Sequence, residues 1–308
     1  MSPYSLGSPA AAHSPSRGYV TRTARDAIDR HTGADYRGLM RIHIGHELVF
    51  EMPQPTTILL MLYVRPEVAP ALQQPEGIVV EPAVPVESFV DWFGNRGARV
   101  VAPAGTVRIR YDNVVTDSGT PEPTIEGLPL VPVAALPPES LRYLLASRYC
   151  EVDRMTAIAW DLFGKTPETW ERVQAVLDWV HKHVTFGYQY SRPTKTAFDV
   201  FTERQGVCRD FQHLAITILR ALNVPARYAT GYLGDIGVPR DPNPMDFSAW
   251  FEAYLGGGWH TLDARHNQPR IGRVLMGRGR DAVDVALTTS FGNATLTKFS
   301  VWADLLSE

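Results

Sequence analysis

One stretch, residues 206–215, constrains the fold more than any other part of the chain. Gly206 ends a polar segment, and apolar residues then recur at helical spacing until Asn223 and Pro225 stop the helix. The pattern predicts a largely buried helix whose first turn carries Cys208. Unpaired backbone N–H groups and the positive end of the helix dipole favour a thiolate there. The alternative is an inert cysteine that packs as a small hydrophobe.

Composition places the 308-residue chain among globular proteins, with 44% hydrophobic and 20% charged residues. A formal net charge of −3 and the lack of a basic run argue against a nucleic-acid partner. The longest apolar run, residues 58–64, is too short to cross a bilayer, so no membrane partner is expected. Two cysteines cannot build a disulfide framework, which favours a cytoplasmic protein with a structural Cys150. A disulfide between Cys150 and Cys208 would silence any thiol chemistry.

Local composition and periodicity divide the chain into four segments. Residues 1–39 are rich in small and polar residues and predict a disordered extension. Residues 40–120 contain short strands separated by Pro and Gly, which predict an all-β, sandwich-like domain. Residues 121–138 contain six prolines and predict a linker. Residues 139–308 predict helices followed by an antiparallel meander, so we expect an α+β core there.

Periodicity predicts the positions of the main elements. Helical spacing predicts helices over residues 139–149, 151–162, 168–183 and 208–222. Alternating or apolar runs predict strands that include residues 41–50, 57–64, 106–112, 113–116, 226–232, 249–255, 258–263 and 286–290. This order places Cys208 on the helix that packs against the core sheet.

Motifs in the core occur in the order seen in the bacterial transglutaminase-like superfamily. They are GVCRD at 206–210, VPARY at 224–228, GY at 231–232, AWFE at 249–252 and GWHTLD at 258–263. The chain resembles that family over roughly residues 140–270, and residues 40–120 resemble the β domain that often accompanies the family core. The resemblance implies a papain-like α+β fold and a Cys–His–Asp triad. It places the nucleophile at Cys208 and the aspartate at Asp263.

The family's histidine position is occupied by Ser248, because the His-Ala-Trp motif reads Ser-Ala-Trp in this chain. A serine hydroxyl cannot hold a thiolate as an ion pair or shuttle a proton near neutral pH. One interpretation is that His266 serves as the base, held by Asp263 or Asn267. The alternative for His266 is an exposed loop residue.

Two other histidines are weaker candidates for the base. His260 precedes Asp263 by three positions on a predicted strand, so it should point to the opposite face. His213 lies five residues beyond Cys208 on one helix and falls on a different face.

Two further interpretations dispense with a histidine. In one, the helix end and Arg209 lower the pKa of Cys208, and the enzyme acts on activated esters or thioesters but poorly on amides. In the other, the site is degenerate and the chain is a binding or scaffold module. The enzymatic interpretations predict an acyl hydrolase or acyltransferase that takes a peptide, amide or thioester substrate.

Secondary candidates surround this constellation. The backbone N–H of Cys208 is a candidate oxyanion donor. Tyr188 is a candidate oxyanion donor or a core residue, and Trp250 a substrate contact or a packing residue. Arginines follow the site, and they either receive an acidic substrate or form a solvated face. They are Arg265, Arg270, Arg273, Arg278 and Arg280. Neither a metal-ligand spacing nor a phosphate loop is present, so no metal or cofactor is expected.

Overall fold

A computed structural model describes residues 39–123 and 125–307, so the predicted extension at 1–39 lies outside the described chain except for Leu39. The helices are α1 (Pro138–Leu141), α2 (Val152–Phe163), α3 (Trp170–His183), α4 (Ala197–Glu203) and α5 (Cys208–Ala221). The strands are β1 (Met40–Met52), β2 (Thr56–Leu60), β3 (Val79–Glu81), β4 (Val86–Val90), β5 (Arg96–Ala102), β6 (Gly105–Asp117), β7 (Thr185–Phe186), β8 (Gln205–Gly206), β9 (Ala226–Leu233), β10 (Ser248–Leu255), β11 (Gly258–Leu262), β12 (Arg273–Gly279), β13 (Thr288–Phe291) and β14 (Thr295–Leu305).

Two four-stranded antiparallel sheets, built mainly from the first part of the chain, form a β-sandwich. Their strand orders are β14-β1-β6-β3 and β13-β2-β5-β4. Side chains alternate along each strand, so Ile42 and Ile44 of β1 meet Val107 and Ile109 of β6 in one buried core. The predicted all-β character of the N-terminal region is confirmed.

One strand replaces two predicted ones in this region. The sequence predicts separate strands at 106–112 and 113–116, whereas β6 runs without interruption from residue 105 to residue 117. The side chain of Asn113 exchanges hydrogen bonds with the backbone of Gln74, donating to its carbonyl at 3.0 Å and accepting from its N–H at 3.3 Å. The polar side chain is therefore satisfied inside the strand without a turn.

The C-terminal strands return to the sandwich. β13 pairs with β2, and β14 pairs with β1 from Ile42 opposite Leu305 onward. The sequence-based segment 139–308 assigned these strands to the core, and they belong instead to the two N-terminal sheets. Their partners lie more than 200 residues earlier, and an alternating pattern alone does not specify which edge a strand joins.

The α+β core is built on a third antiparallel sheet of order β11-β10-β9-β12. Helix α5 is buried along nearly its whole length, and it packs against this sheet and against α2, α3 and α4. Leu214, Ile218 and Phe251 lie in the resulting core. Helices α2, α3 and α5 and strands β9 to β11 lie close to their predicted positions. The predicted α+β class is confirmed.

The helix predicted at 139–149 is mostly absent. Only residues 138–141 are helical, and the following backbone groups are satisfied by distant partners. Arg220 Nη1 donates to the Leu145 carbonyl at 3.0 Å, and the Tyr149 N–H donates to Asp281 Oδ2 at 2.7 Å. These tertiary hydrogen bonds replace the helical ones.

The Pro-rich segment 121–138 is packed on the core and is not a free spacer. Ile125 is buried among core residues. The Leu130 N–H donates to the Glu168 carbonyl at 3.0 Å, and Glu122 accepts hydrogen bonds from Arg273 Nε and the Arg270 N–H. Because Arg273 also contacts Asp263, the segment is linked to Asp263 through Glu122 and Arg273.

Candidate active site

Cys208 is the first residue of α5, as the glycine-helix pattern predicts. Gly206 lies in a short parallel pair with β7, and a Cβ added there would come within 2.6 Å of the Asp210 Cβ. Asp210 Oδ2 accepts the Val207 N–H at 2.9 Å and caps the helix start. Both cysteines are free thiols, and Cys208 is partly exposed whereas Cys150 is buried. The local fold thus presents one thiol at a helix N-terminus.

The electrostatics of this thiol differ from the sequence-based expectation. Burial raises the pKa of Cys208 to about 11; the positive charges of Arg265 and Arg209 oppose this rise, and the carboxylates of Asp246 and Asp210 add to it. Loss of solvation outweighs the charge of Arg209 at this site, so the pKa is raised and not lowered as predicted. Near neutral pH the resting group is therefore the thiol.

A histidine–aspartate pair lies in the turn that follows β11. His266 Nδ1 lies 2.8 Å from Asp263 Oδ2. Because a carboxylate only accepts, Nδ1 carries the hydrogen and Nε2 keeps its lone pair. Burial lowers the pKa of His266, and this effect exceeds the opposing effect of the Asp263 charge. The neutral imidazole that results is the form able to take up a proton.

Asp263 is held by four further hydrogen bonds. Oδ1 accepts from the N–H groups of Arg265 (2.9 Å) and His266 (3.1 Å) and from Gln212 Nε2 (3.0 Å), and Oδ2 accepts from Arg273 Nη2 (3.0 Å). Burial raises its pKa, but the interactions with His266 and Arg273 are stronger in sum and hold the pKa well below the ordinary value. Asp263 is therefore an ionised, fixed acceptor for the imidazole.

Gln212 and Glu122 are parts of this arrangement that the sequence analysis missed. Gln212 also donates to the Ala249 carbonyl at 3.2 Å and accepts the Ala264 N–H at 3.1 Å. Its position four residues after Cys208 places it on the same helix face, which is a signal that the sequence contains. Glu122 binds Arg273 across 151 residues of chain, and no local pattern indicates that contact.

A cleft of about 790 Å³ brings several predicted residues together. Its lining includes Tyr188, Cys208, Ser248 and His266. The loop between β9 and β10 and residues 301–305 of β14 form much of the remaining wall. A thiol, a neutral imidazole and a phenol therefore border one space that is open to a substrate.

Comparison with known proteins identifies this architecture. Residues 156–264 match the model of the transglutaminase-like superfamily. A solved structure of a Cytophaga hutchinsonii protein, named a "putative cysteine protease", is 33% identical with a TM-score of 0.76. That match covers 88% of this chain and 92% of the Cytophaga chain. The chain belongs to the transglutaminase-like superfamily.

Mycobacterial proteins without an assigned function are also similar to this transglutaminase-like chain. One from Mycobacterium leprae is 27% identical over 146 residues, covering 46% of this chain and 52% of that protein. One from Mycobacterium bovis is 28% identical over 215 residues, covering 63% of this chain and 68% of that protein. The chain thus spans about half the length of the Mycobacterium leprae relative.

The serine at the family's histidine position begins β10 in this transglutaminase-like fold. Ser248 is buried, and its carbonyl accepts a hydrogen bond from Thr230 Oγ1 at 2.9 Å. Tyr188 lies in a short helical turn after β7, and burial raises its pKa to about 12. Its hydroxyl is therefore protonated at neutral pH and available as a donor.

Trp250 does not line the cleft of this transglutaminase-like protein, so of the two predicted alternatives it is the packing residue. Its side chain is 2% exposed and packs with Ala229 and Leu275. The Arg273 guanidinium lies 5.0 Å from the centre of its ring. The indole therefore supports the arginine that holds Asp263, and burial keeps it away from substrate.

The structure also locates the weaker candidates. His213 is buried and stacks on Tyr149, and its Nε2 accepts the Ala282 N–H at 3.2 Å. His260 Nε2 donates to the Leu255 carbonyl at 3.1 Å, inside the β10–β11 hairpin. Neither residue lines the cleft.

Asn267, the other candidate partner for His266, binds elsewhere. Its Nδ2 donates to Asp178 Oδ1 of α3 at 2.8 Å. Its N–H donates to the Asp263 carbonyl at 2.8 Å. Asn267 therefore fixes the loop after β11 to α3, and Asp263 alone of the two predicted partners contacts the imidazole.

Four of the five arginines after the site form ion pairs, and among these four only the Arg280 side chain is exposed, at 41%. Their guanidinium groups are paired with carboxylates. The pairs are Arg270 with Asp235, Arg273 with Glu122 and Asp263, Arg278 with Glu252 and Glu67, and Arg280 with Asp284. Arg265 differs, because it stacks on the Phe186 ring at 3.8 Å.

Two classes of feature are absent from residues 39–123 and 125–307. No group of three or more His, Cys, Asp and Glu side chains is arranged to hold a metal ion. No helix in the same part of the chain is both long and apolar enough to cross a bilayer.

Proposed function

We propose that this protein is a cysteine-dependent acyl hydrolase or acyltransferase in which Cys208 is the nucleophile and His266 the general base. One observation carries the proposal: the Asp263 carboxylate holds His266 Nδ1 at 2.8 Å, and His266 and Cys208 line the same cleft. The arrangement supplies a nucleophile, a base and an orienting group, which are the three parts of such a site.

The first half of the reaction forms a thioester. Cys208 Sγ attacks the substrate carbonyl carbon while His266 Nε2 takes the thiol proton, because the thiol pKa of about 11 keeps that proton on sulfur until attack. The carbonyl oxygen becomes an oxyanion, and in this proposal the Tyr188 hydroxyl and the Cys208 N–H donate hydrogen bonds to it. The tetrahedral adduct then expels the leaving group, which takes the proton from His266.

The second half regenerates the enzyme. A water molecule or an amine attacks the thioester carbonyl and gives its proton to His266 Nε2. The new tetrahedral adduct breaks its carbon–sulfur bond, and the sulfur recovers the proton from His266. The product is an acid when water attacks and an amide when an amine attacks.

The substrate class follows from the same chemistry. A protonated His266 can deliver a proton to a leaving nitrogen, so amides and peptides as well as thioesters can be substrates. The name of the Cytophaga hutchinsonii relative, "putative cysteine protease", supports a peptide substrate. We propose a peptide, amide or thioester as the acyl donor.

A non-catalytic binding module remains the second candidate. Ser248 in place of the family's histidine and the raised thiol pKa favour it. The two functions separate in an acylation experiment with 4-nitrophenyl acetate. The enzyme should release a burst of nitrophenolate and carry one acetyl group on the Cys208 peptide, as measured by mass spectrometry, whereas Cys208→Ser should give no burst. A wild-type protein that is not acetylated at Cys208 would support the binding module.

A further inference from the structure

Two charged side chains that share the cleft with Cys208, Arg265 and Asp246, form no ion pair with another described residue. The cleft also contains Arg270 and Asp235, but these two pair with each other at 3.6 Å, and Arg270 Nη2 donates to the Gly234 carbonyl at 2.9 Å. The charges of Arg270 and Asp235 therefore neutralise each other. Arg265 and Asp246 line the same cleft, but neither forms an ion pair with another described residue.

Arg265 offers an unused guanidinium. Its Cζ lies over the Phe186 ring, 3.8 Å from the ring centre. Within the part of the chain that the structure describes, the group forms neither an ion pair nor a hydrogen bond. A guanidinium has five N–H donors in a planar fork that matches a carboxylate. The contact with the Phe186 ring holds this group beside the cleft.

Asp246 offers the opposite charge. Its carboxylate forms no ion pair with any basic side chain among residues 39–123 and 125–307. Burial raises the pKa of Asp246 to about 6. The hydrogen bond from the Phe247 N–H and the positive charges of Arg209 and Arg265 lower this pKa, but they do not cancel the effect of burial. Asp246 is therefore ionised at neutral pH and incompletely compensated, which favours a cation in contact with it.

Both groups lie close to the reacting sulfur. Arg265 and Asp246 are the two charges with the largest effects on the pKa of Cys208, and both also act on Tyr188. A substrate whose carbonyl meets Cys208 therefore shares the cleft with an unpaired cation and an incompletely compensated anion.

We propose that the acyl donor carries an α-amino-acid group, whose carboxylate binds Arg265 and whose ammonium binds Asp246. This inference deepens the proposed function and rests on it. It defines the substrate as a dipolar acyl donor, in which both charges belong to the acyl part that forms the thioester with Cys208. A substrate with one charge satisfies one residue and leaves the other unpaired.

Four 4-nitroanilides with related acyl groups test the proposal. The γ-glutamyl compound carries both charges, the glutaryl compound only the carboxylate, the 4-aminobutyryl compound only the ammonium, and the butyryl compound neither. We expect kcat/KM to be highest for γ-glutamyl and to fall roughly 10-fold for each charge removed, because each charge-assisted hydrogen bond contributes about that factor. Equal kcat/KM values for γ-glutamyl and butyryl would overturn the proposal.

Two variants assign the charges to residues. Arg265→Gln should remove the advantage of γ-glutamyl over 4-aminobutyryl, and Asp246→Asn should remove its advantage over glutaryl. Arg240→Gln and Asp304→Asn are matched controls, because both residues are exposed and line the same cleft. Controls that alter these ratios as much as the two variants do would contradict the assignment.

A second substrate distinguishes failure of the dipolar donor from failure of the proposed function. Wild-type hydrolysis of the uncharged 4-nitrophenyl butyrate reports whether Cys208 chemistry occurs at all. Activity on that ester with no preference among the four anilides would refute the dipolar donor and leave the cysteine enzyme standing. Absence of activity on the ester and on all the anilides would refute both.

Discussion

Gln212 Nε2 lies 3.0 Å from Asp263 Oδ1, and this contact joins the helix that begins with Cys208 to the turn that carries His266. The same side chain binds the backbone of Ala249 on β10 and of Ala264 after β11. One buried amide therefore links the helix of Cys208 to Asp263 and to the turn that carries His266. The proposed triad depends on a residue outside it.

Gln212→Leu should weaken both stability and catalysis. The substitution removes three hydrogen bonds and leaves buried backbone groups unpaired, so we expect a loss of about 1–3 kcal/mol in the free energy of unfolding. The value of kcat/KM should also fall, because Asp263 loses one of its donors. Urea unfolding and steady-state kinetics measure the two effects, with Gln74→Leu, an exposed glutamine, as the control. Unchanged kinetics in a folded variant would show that Gln212 does not position the site.

Glu122→Gln should destabilise the core although it lies in the Pro-rich segment. The Glu122 carboxylate accepts from the side chain of Arg273 and from the backbone of Arg270, and Arg273 is largely buried. We expect a loss of about 1–3 kcal/mol in urea unfolding, since a charged acceptor of a buried cation is removed. Glu126→Gln, an exposed change in the same segment, should have little effect. Equal stability of the two variants would mean that the segment is a passive spacer.

The thiol of Cys208 should titrate far above neutral pH. Because its pKa is about 11, the rate of alkylation by iodoacetamide at the Cys208 peptide should still rise between pH 9 and pH 10. Asp246→Asn removes a neighbouring negative charge, so it should lower the thiol pKa, and Arg265→Gln should raise it. Peptide-resolved mass spectrometry separates Cys208 from Cys150. A rate that levels off below pH 8 would contradict the raised pKa.

The pH dependence of kcat/KM should report His266. The base must be neutral to accept the thiol proton, and burial lowers the pKa of His266 below its ordinary value of 6.5. Activity should therefore be lost only as the pH falls through a midpoint below 6.5, and it should be retained at pH 7. Asp263→Asn removes the charge that favours the imidazolium, so it should move this midpoint to still lower pH. A midpoint above 6.5 in the wild type would contradict the assignment.

The sequence predicts local relationships well. The start of α5 at Cys208 follows from a glycine turn and an apolar helical face, and both are local signals. The contact between Asp263 and His266 spans three residues, which a turn can close. The hairpin of β10 and β11 is also a local structure, and it joins the two strands predicted at 249–255 and 258–263.

Relationships between distant segments escaped the sequence analysis. The pairing of β14 with β1, the contact of Glu122 with Arg273 and the position of Asp246 in the cleft all depend on how separate segments pack. The sequence analysis predicted a lowered pKa for the Cys208 thiol, whereas the pKa is raised, and the reason is the same. Helix position is a local property, whereas burial of Cys208 is set by the whole fold.

The exchange of His266 for alanine tests the central claim most directly. We predict that His266→Ala lowers kcat/KM for acylation of Cys208 by about 10²-fold or more, as expected for loss of a general base. His260→Ala, which changes a histidine in the β10–β11 hairpin, should leave the rate nearly unchanged. Acylation of the His266→Ala variant at the wild-type rate would contradict the account.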